Sequence, residues 1–285
     1  MSERLRTALL AGVVATLLPG ALVAQEWESL SMRRAFNGER ALSVDVEYGA
    51  GTLTVGPGQP GTLYRAALRF DAEAFEPETS YENGRLHIGI DDAEVRGRHV
   101  EGGTLTLELS PRVPLDLDLA FGAAEANIEL GGLHLRRLEI ATGASATELS
   151  FSQPNPIQAE SITFQVGAAR FVATGLGNAH ARMLSVEGGV GEVDLDFSGA
   201  WDADMDASIE MGLCKLTLRL PRGLGVHIEK DGLLAGIEAE GLIKQGNMYY
   251  TEGFQQAERK LTVEIDAAFN AIQIVWVGNL QANAR

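Results

Sequence analysis

The stretch that decides the fold is residues 117–130, LDLAFGAAEANIEL, because the chain repeats its pattern four more times. The further copies are LEIATGASATELSF (138–151), ITFQVGAARFVATG (162–175), LSVEGGVGEVDLDF (184–197) and SIEMGLCKLTLRL (208–220). Their central glycines, Gly122, Gly143, Gly167, Gly189 and Gly212, are 21, 24, 22 and 23 residues apart. A period of this length predicts structural repeats that stack on one another.

Two outlying copies extend the repeat toward both ends of the chain. Residues 44–55, VDVEYGAGTLTV, carry Gly49, and residues 263–276, VEIDAAFNAIQIVW, place Asn270 in the glycine position. Asparagine is the usual second choice where φ is positive. We therefore expect the repeated pattern to begin before residue 50 and to end close to the C-terminus.

Alternation within each copy is typical of β-strands, but its parity changes at the glycine. Apolar residues lie three and five positions before Gly122 and four, six and eight positions after it. In a straight strand, this change of parity places the apolar side chains after the glycine on the opposite face of the sheet from those before it. A bulge or corner at the glycine keeps them on one face. Each copy therefore predicts two short strands that meet at a glycine corner.

Units of this size cannot bury their own apolar face, so they must stack on their neighbours. We predict an all-β fold, a β-solenoid or β-helix-like stack of roughly 22-residue repeats with glycine corners and parallel ladders. An antiparallel β-sandwich is the alternative. The predicted parts are a signal peptide (1–24), an N-terminal β region or cap (25–110), the repeated β-stack (111–225) and a closing repeat with an irregular insertion (226–285).

Two local signals lie outside the regular copies. In YENGRLHIGI, the pair Asn83-Gly84 predicts a hairpin turn within the N-terminal cap. In the closing part, GLIKQGNMYYTEGFQQAERKL (241–261) is the segment we expect to form an irregular or helical insertion.

The first 24 residues have the pattern of a cleaved secretory signal. Two arginines precede an uncharged apolar stretch that ends at Ala24. Pro19 interrupts this stretch, whereas a membrane anchor, the alternative, needs about 20 unbroken apolar residues. No second apolar span follows. The sequence thus predicts an exported protein, periplasmic or secreted to the cell surface, without a transmembrane span in the mature chain.

Composition limits the classes of partner. With 45% apolar and 22% charged residues the chain is globular in composition, and its formal net charge is −16. We expect no nucleic-acid partner, because a phosphate backbone demands a basic surface. The single cysteine, Cys214, has no intramolecular disulfide partner. A buried, space-filling thiol is expected there, and pairing between chains is the alternative.

Asp202, Asp204 and Asp206 resemble the start of a calcium-binding loop. An EF-hand needs glycine at the sixth position and glutamate at the twelfth. Those positions hold Ala207 and Leu213. We therefore expect the aspartates to lie on one solvated face of an extended segment, with a weak calcium site as the alternative.

Outward positions after the glycines carry charges of alternating sign. Glu192 is flanked on the neighbouring repeats by Arg170 and Lys215. We expect ion pairs between repeats there, each contributing only about 0–1 kcal/mol at a surface. A solubilising surface is the expected role, and a polysaccharide groove on the same face is the alternative.

We predict no catalytic, metal or cofactor site. The histidines, His87, His99, His134, His180 and His227, are scattered over different segments without ligand spacing. No nucleophile elbow and no phosphate-binding loop is present in the sequence. The alternative is a polysaccharide-processing enzyme on the same stack, which needs two positioned carboxylates.

Particular strings within the repeats add a resemblance. GLGNA (175–179), DFSG (196–199) and LPRGLGV (220–226) resemble the bacterial toast-rack family, as does most of residues 40–277. That family is related to the C-terminal domain of Lia-type cell-wall antibiotic-response proteins and to β-helical adhesins. The resemblance implies a right-handed, rack-like stack of strands at the bacterial envelope, with no catalytic residues to transfer. The sequence departs from the family pattern at Cys214 and Asn270.

These observations predict a non-enzymatic exported envelope protein. Its rigid β-stack would serve as a scaffold, an adhesin-like binder or a cell-envelope sensor, with an envelope component or another protein as partner and no cofactor. Self-association through the stack ends is also predicted, because open solenoid ends expose unpaired strand edges.

Overall fold

The structure is a computed structural model that describes residues 27–73, 75–92, 102–232, 236–268 and 271–280. Within these ranges the chain forms β-strands and two 3-10 turns, Leu176–Ala179 and Phe254–Gln256. The predicted all-β class is confirmed. No helix in the described ranges has the length and apolarity needed to cross a membrane. The predicted signal peptide lies outside the described residues.

The eighteen strands of the described residues all belong to one hydrogen-bonded sheet. The N-terminal strands are β1 (Trp27–Ala35), β2 (Leu42–Pro57), β3 (Thr62–Asp71), β4 (Phe75–Glu82), β5 (Arg85–Asp92) and β6 (Gly103–Leu109). The central strands are β7 (Leu115–Glu129), β8 (Leu135–Thr142), β9 (Ala146–Ser150), β10 (Ser161–Thr174), β11 (Met183–Asp196) and β12 (Met205–Arg222). The closing strands are β13 (Gly225–Asp231), β14 (Gly236–Glu238), β15 (Ile243–Gln245), β16 (Met248–Tyr250), β17 (Lys260–Ala267) and β18 (Ala271–Asn279).

Strands of successive copies pair in parallel, and each copy forms one rung of a stack. Ile162, for example, lies between Leu138 of the preceding copy and Leu184 of the following one. The rungs follow one another as β2, β7, β8 with β9, β10, β11, β12, β17 with β18, and β13 with β14. The antiparallel sandwich considered above is therefore not the arrangement of the repeats.

The strands bend around a shared core at the central glycine of each copy. In β10, Phe164 and Phe171 are both fully buried, although they lie on opposite sides of Gly167. Their rings pack with centroids 4.8 Å apart. Gly167 and Ala168 are both exposed, so the change of parity is produced by two consecutive outward residues. Both halves of the strand thereby present their apolar residues to one core.

The predicted division of every copy into two strands is wrong for most rungs. β7, β10, β11 and β12 continue through the bend, whereas the copy around Gly143 is split into β8 and β9 and the last copy into β17 and β18. The backbone continues its hydrogen bonds to the neighbouring rungs on both sides of the bend, for example from Ala168 N–H to the carbonyl of Gly143. In these four strands the bend therefore does not interrupt the strand.

The last copy differs from the sequence alignment by two positions. Met211 lies opposite Ala267 and Lys215 lies opposite Ala271, so Ala268 is level with Gly212. The assignment of Asn270 to the glycine position is therefore wrong, and Asn270 itself lies outside the described residues. Apolar residues alternate in the same way on both sides of the bend, so the sequence pattern alone did not reveal this register.

Antiparallel strands cover both ends of the parallel stack. At one end β4 pairs with β5 and β3 pairs with β6, while at the other β16 pairs with β13. The predicted hairpin is confirmed, because Asn83 and Gly84 have φ values of 50° and 82° between β4 and β5. The segment 241–261 forms the short hairpin β15–β16 and a 3-10 turn, so the helical option is wrong.

Candidate binding groove

A groove with a volume of about 1010 Å³ runs along the stack at the bend of the strands. Its floor is the row of central glycines, Gly49, Gly122, Gly143, Gly167, Gly189 and Gly212, with Ala268 at the end. One edge consists of the residues two positions before the floor: Glu47, Ala120, Ala141, Gln165, Glu187, Glu210 and Asp266. Because parallel strands lie about 4.8 Å apart, the seven rungs give the groove a length of about 29 Å.

Backbone packing leaves the floor bare. A Cβ atom at Gly212 would lie 2.7 Å from the carbonyl oxygen of Gly189. At Gly189 it would lie 2.8 Å from the carbonyl oxygen of Gly167. Side chains are thus excluded at these glycines by the rung before, and main-chain atoms line the bottom of the groove apart from the methyl group of Ala268.

Three carboxylates on consecutive rungs form the acidic edge of the groove. Glu187 lies opposite Glu210, and Glu210 lies opposite Asp266. Within the described part of the chain, none of these side chains makes an ion pair or a hydrogen bond. Like charges directly opposite each other on adjacent strands destabilise a sheet. No described basic side chain lies within ion-pair distance of this acidic edge to offset such repulsion.

On the sheet face beyond the bend, by contrast, charged side chains of neighbouring rungs form ion pairs. Lys215 Nζ lies 2.9 Å from Glu192 Oε1, and this ion pair lowers the pKa of Glu192 through its hydrogen bond and its charge. Arg219 contacts both carboxylate oxygens of Asp194, at 2.7 and 2.9 Å. The predicted alternation of charge across the rungs around Glu192 is confirmed. The groove lies at the bend rather than on this paired face.

Two exposed apolar residues lie on the far side of the floor. Val190 and Leu213 directly follow the floor glycines of their rungs and lie opposite each other on β11 and β12. They are 53% and 59% exposed, respectively. We call this pair the apolar edge. On these two rungs Glu187 and Glu210 line the groove before the floor glycines, and Val190 and Leu213 follow those glycines just beyond the residues that line it.

The three aspartates singled out above have separate structural contacts. Asp202 Oδ2 lies 3.3 Å from His180 Nδ1. Asp204 accepts a hydrogen bond of 2.9 Å from the backbone N–H of Lys260, which ties the segment before β12 to the start of β17. No group of three or more potential metal ligands occurs within the described ranges. Only Asp206 belongs to β12, so the three do not share one strand face.

The histidines lie apart from one another in the described structure. His180 contacts the carbonyl of Ala200 at 3.0 Å, and His87 contacts Asp45 at 3.6 Å. The rings of His227 and Phe254 lie 5.7 Å apart. His134 is on a loop before β8, and His99 lies outside the described residues.

Cys214 is buried, as its space-filling interpretation expects, and burial raises the pKa of its thiol. It lies opposite Gly191, which has a φ of 135°. The neighbouring rung therefore has a glycine at the position where Cys214 departs from the family pattern. The cysteine fills space on the core side of the bend.

A pair of asparagines that the sequence patterns above do not include joins the loops of successive rungs. Asn155, 1% exposed, bonds through its side chain to both backbone groups of Leu135 and to the carbonyl of Ala179. Asn178 accepts from the N–H of Ala200 at 2.7 Å and donates to Phe151. The signal was available, because the two asparagines lie 23 residues apart, one repeat length.

Solved structures with a similar outline were found in three bacteria. A "putative cell adhesion protein" from Clostridium sporogenes is 18% identical, with a TM-score of 0.46 over 88% of this chain and 100% of that one. A "putative adhesin" from Bacteroides fragilis is 10% identical, with a TM-score of 0.43 over 88% and 98%. A "putative lipid binding protein" from Parabacteroides distasonis is 11% identical, with a TM-score of 0.39 over 90% and 96%.

A search of curated proteins found no match. Residues 25–171 and 160–219 match the family model described as the N-terminal domain of toast_rack, DUF2154. These ranges cover more than half of the chain and contain four of the five central copies of the repeat and all but the last residue of the fifth. The protein therefore belongs to the toast_rack family.

Proposed function

We propose that this protein is a non-enzymatic, exported envelope protein that acts as an adhesin-like binder through the groove at the bend of its strands. The observation that carries the proposal is the continuity of the groove over seven rungs of one parallel stack. A groove of this length and openness suits a ligand that is itself extended, because successive units of the ligand meet the same backbone floor at each rung.

Rigidity supports a binding role for this surface. The floor and the acidic edge belong to strands whose hydrogen bonds continue on both sides, and the residues beneath them, such as Phe121 and Val166, are buried in the core. A surface that is already ordered loses little conformational entropy when a ligand binds. The signal pattern of residues 1–24 and the family membership support the envelope as its location.

The proposal is tested by blocking the groove at its middle. Ala141 belongs to the groove edge, and Ala146 lies on the other side of the same bend and is exposed. Ala141→Trp fills the groove, while Ala146→Trp adds the same side chain to the sheet face. The mature chain, beginning at Gln25, is mixed with bacterial envelope fragments, and the bound fraction is measured by co-sedimentation.

We expect Ala141→Trp to reduce the bound fraction at least about tenfold, and Ala146→Trp to leave it within about twofold. Urea denaturation of both variants checks that each remains folded. Equal binding by the two variants would contradict the use of the groove and favour a scaffold role without a ligand at the bend.

A further inference from the structure

We infer that the occupant of the groove is an extended cationic polypeptide segment whose basic side chains contact Glu187, Glu210 and Asp266 and whose apolar side chains contact Val190 and Leu213. The inference rests on the proposed function of the groove and names the chemistry of its ligand. It combines three independent features of the same rungs: charge, exposed apolar surface and length.

Charge complementarity is the first feature. On the face beyond the bend, the acids of neighbouring rungs are matched by Lys215 and Arg219. On the acidic edge, Glu187 and Glu210 lie opposite each other and no described basic side chain reaches them. Like charges that lie opposite each other without a compensating contact are typical of a functional surface. Positive charge supplied from outside the chain would remove the repulsion.

Exposed apolar surface is the second feature. Val190 and Leu213 are among the few large apolar side chains of the described residues that are more than half exposed. They lie across the floor from the two glutamates. A simple polyamine or a hydrated sugar chain would leave these side chains in water. An extended peptide places successive side chains on opposite sides, so basic residues can line one edge and apolar residues the other.

Length is the third feature. An extended chain advances about 3.3 Å per residue, so a groove of about 29 Å accommodates about nine residues. Main-chain atoms of the floor face the main chain of such a peptide, because no floor residue has a side chain longer than that of Ala268. The segment therefore has the dimensions of a linear peptide or of an unfolded tail of a larger protein.

The test uses a fluorescein-labelled nonapeptide, KLKLKLKLK, titrated with the mature chain while fluorescence anisotropy is recorded. We expect Glu187→Gln/Glu210→Gln to raise the Kd at least about tenfold at low salt, and Leu213→Ser to raise it about threefold. Glu125→Gln, which removes an exposed carboxylate beyond the bend, serves as the control and changes the Kd less than about twofold. Added salt should weaken binding to the native protein and affect the double variant much less.

Three outcomes would overturn the inference. The first is equal binding of a peptide with glutamate in place of each lysine. The second is an unchanged Kd for Glu187→Gln/Glu210→Gln, with urea denaturation showing that the variant is folded. The third is displacement of the peptide by a chitosan oligosaccharide that binds more tightly, which would assign a cationic polysaccharide to the groove.

Failure of this inference and failure of the proposed function give different results. If Ala141→Trp abolishes binding to envelope fragments and the nonapeptide does not bind, the groove is a binding site for another ligand class. If the nonapeptide binds through Glu187 and Glu210 while Ala141→Trp leaves envelope binding intact, the ligand chemistry stands and the envelope role through this groove is wrong.

Discussion

The carbonyl oxygen of Gly122 lies 3.0 Å from the point that a Cβ atom would occupy at Gly143. The same relationship recurs one rung later, where a Cβ atom at Gly167 would lie 2.9 Å from the carbonyl oxygen of Gly143. Neither Gly143 nor Gly167 has a positive φ. Glycine is needed at these positions because the backbone of the neighbouring rung approaches closely, and not because of an unusual φ.

Gly143→Val and Gly167→Val should therefore each lower the free energy of unfolding by more than about 1 kcal/mol. The branched side chain would push the neighbouring rung away and weaken the hydrogen bonds on both sides of the bend. Glu148→Gln is the control, since its carboxylate makes only an exposed ion pair with Arg170 at 3.6 Å, and it should cost less than about 0.5 kcal/mol. Urea denaturation measures all three, and equally small effects would contradict the close-packing explanation.

Asn155→Ala should lower the free energy of unfolding by about 2–3 kcal/mol, because it leaves buried backbone groups of Leu135 and Ala179 without their partner. Asn127→Ala is the matched control, since Asn127 is exposed on β7, and it should change stability by less than about 0.5 kcal/mol. Thermal and urea denaturation give the comparison. A similar small loss in both variants would show that the loops do not depend on this amide.

Asp118→Asn should raise stability at neutral pH, by about 0.2–1 kcal/mol, because Asp118 lies opposite carboxylates on both neighbouring rungs. Burial raises the pKa of Asp118, and the negative charges of nearby carboxylates raise the pKa further. Those carboxylates belong to Glu139, Asp45 and Glu47. The folded state therefore binds this proton more tightly than the unfolded chain.

The sign of the pH dependence follows from that raised pKa. Protonation of Asp118 stabilises the fold fully below the unfolded pKa, and this stabilisation is lost as pH rises through the folded pKa. The advantage of Asp118→Asn should thus shrink as the solution is acidified. Asp116→Asn, two residues earlier, should instead destabilise the protein at neutral pH, because Asp116 accepts a bidentate interaction from Arg136. Urea titrations at neutral and acidic pH would contradict this assignment if both variants behaved alike.

Glu129→Gln should have the opposite pH dependence. Although burial alone would raise the pKa of Glu129, hydrogen bonds donated by Ser150, Gly131 and Ser152 together lower it. The charged form therefore stabilises the fold above the unfolded pKa, and this contribution is lost as pH falls through the folded pKa. The variant should be less stable than the native chain near pH 7, by about 1–2 kcal/mol, and the difference should narrow in acid. A constant difference across pH would mean that shape, and not charge, is what matters at this site.

Protein recovered outside the cytoplasm should lack residues 1–24 and begin at Gln25. The expectation follows from the basic start, the apolar stretch and the small residue Ala24 before the predicted cleavage point. Mass spectrometry of the N-terminal peptide decides it. Recovery of Met1 or Ser2 on the exported chain would show that the segment is retained as an anchor.

Several contacts that define the fold cannot be predicted from the local sequence of either partner. Val44 of β2 pairs with Leu117 of β7, although strands β3 to β6 separate them in the sequence. The intervening strands instead pair on the other side of β2, where β5 and β6 continue the parallel stack. Sequence reasoning recognised the copy around Gly49 but not its direct contact with the copy around Gly122, because nothing in either segment encodes the path of the chain between them.

The sequence by itself determined the β class, the alternation within each copy, the change of parity at each central glycine and the hairpin at Asn83, because backbone conformation and side-chain direction are local properties. Only the tertiary structure decided that Ala268 lies level with Gly212, that Asn155 joins two loops and that a groove runs along the bend. Each of these depends on which residues of distant rungs become neighbours. That pairing follows from burial of the whole stack, and no single repeat can specify it.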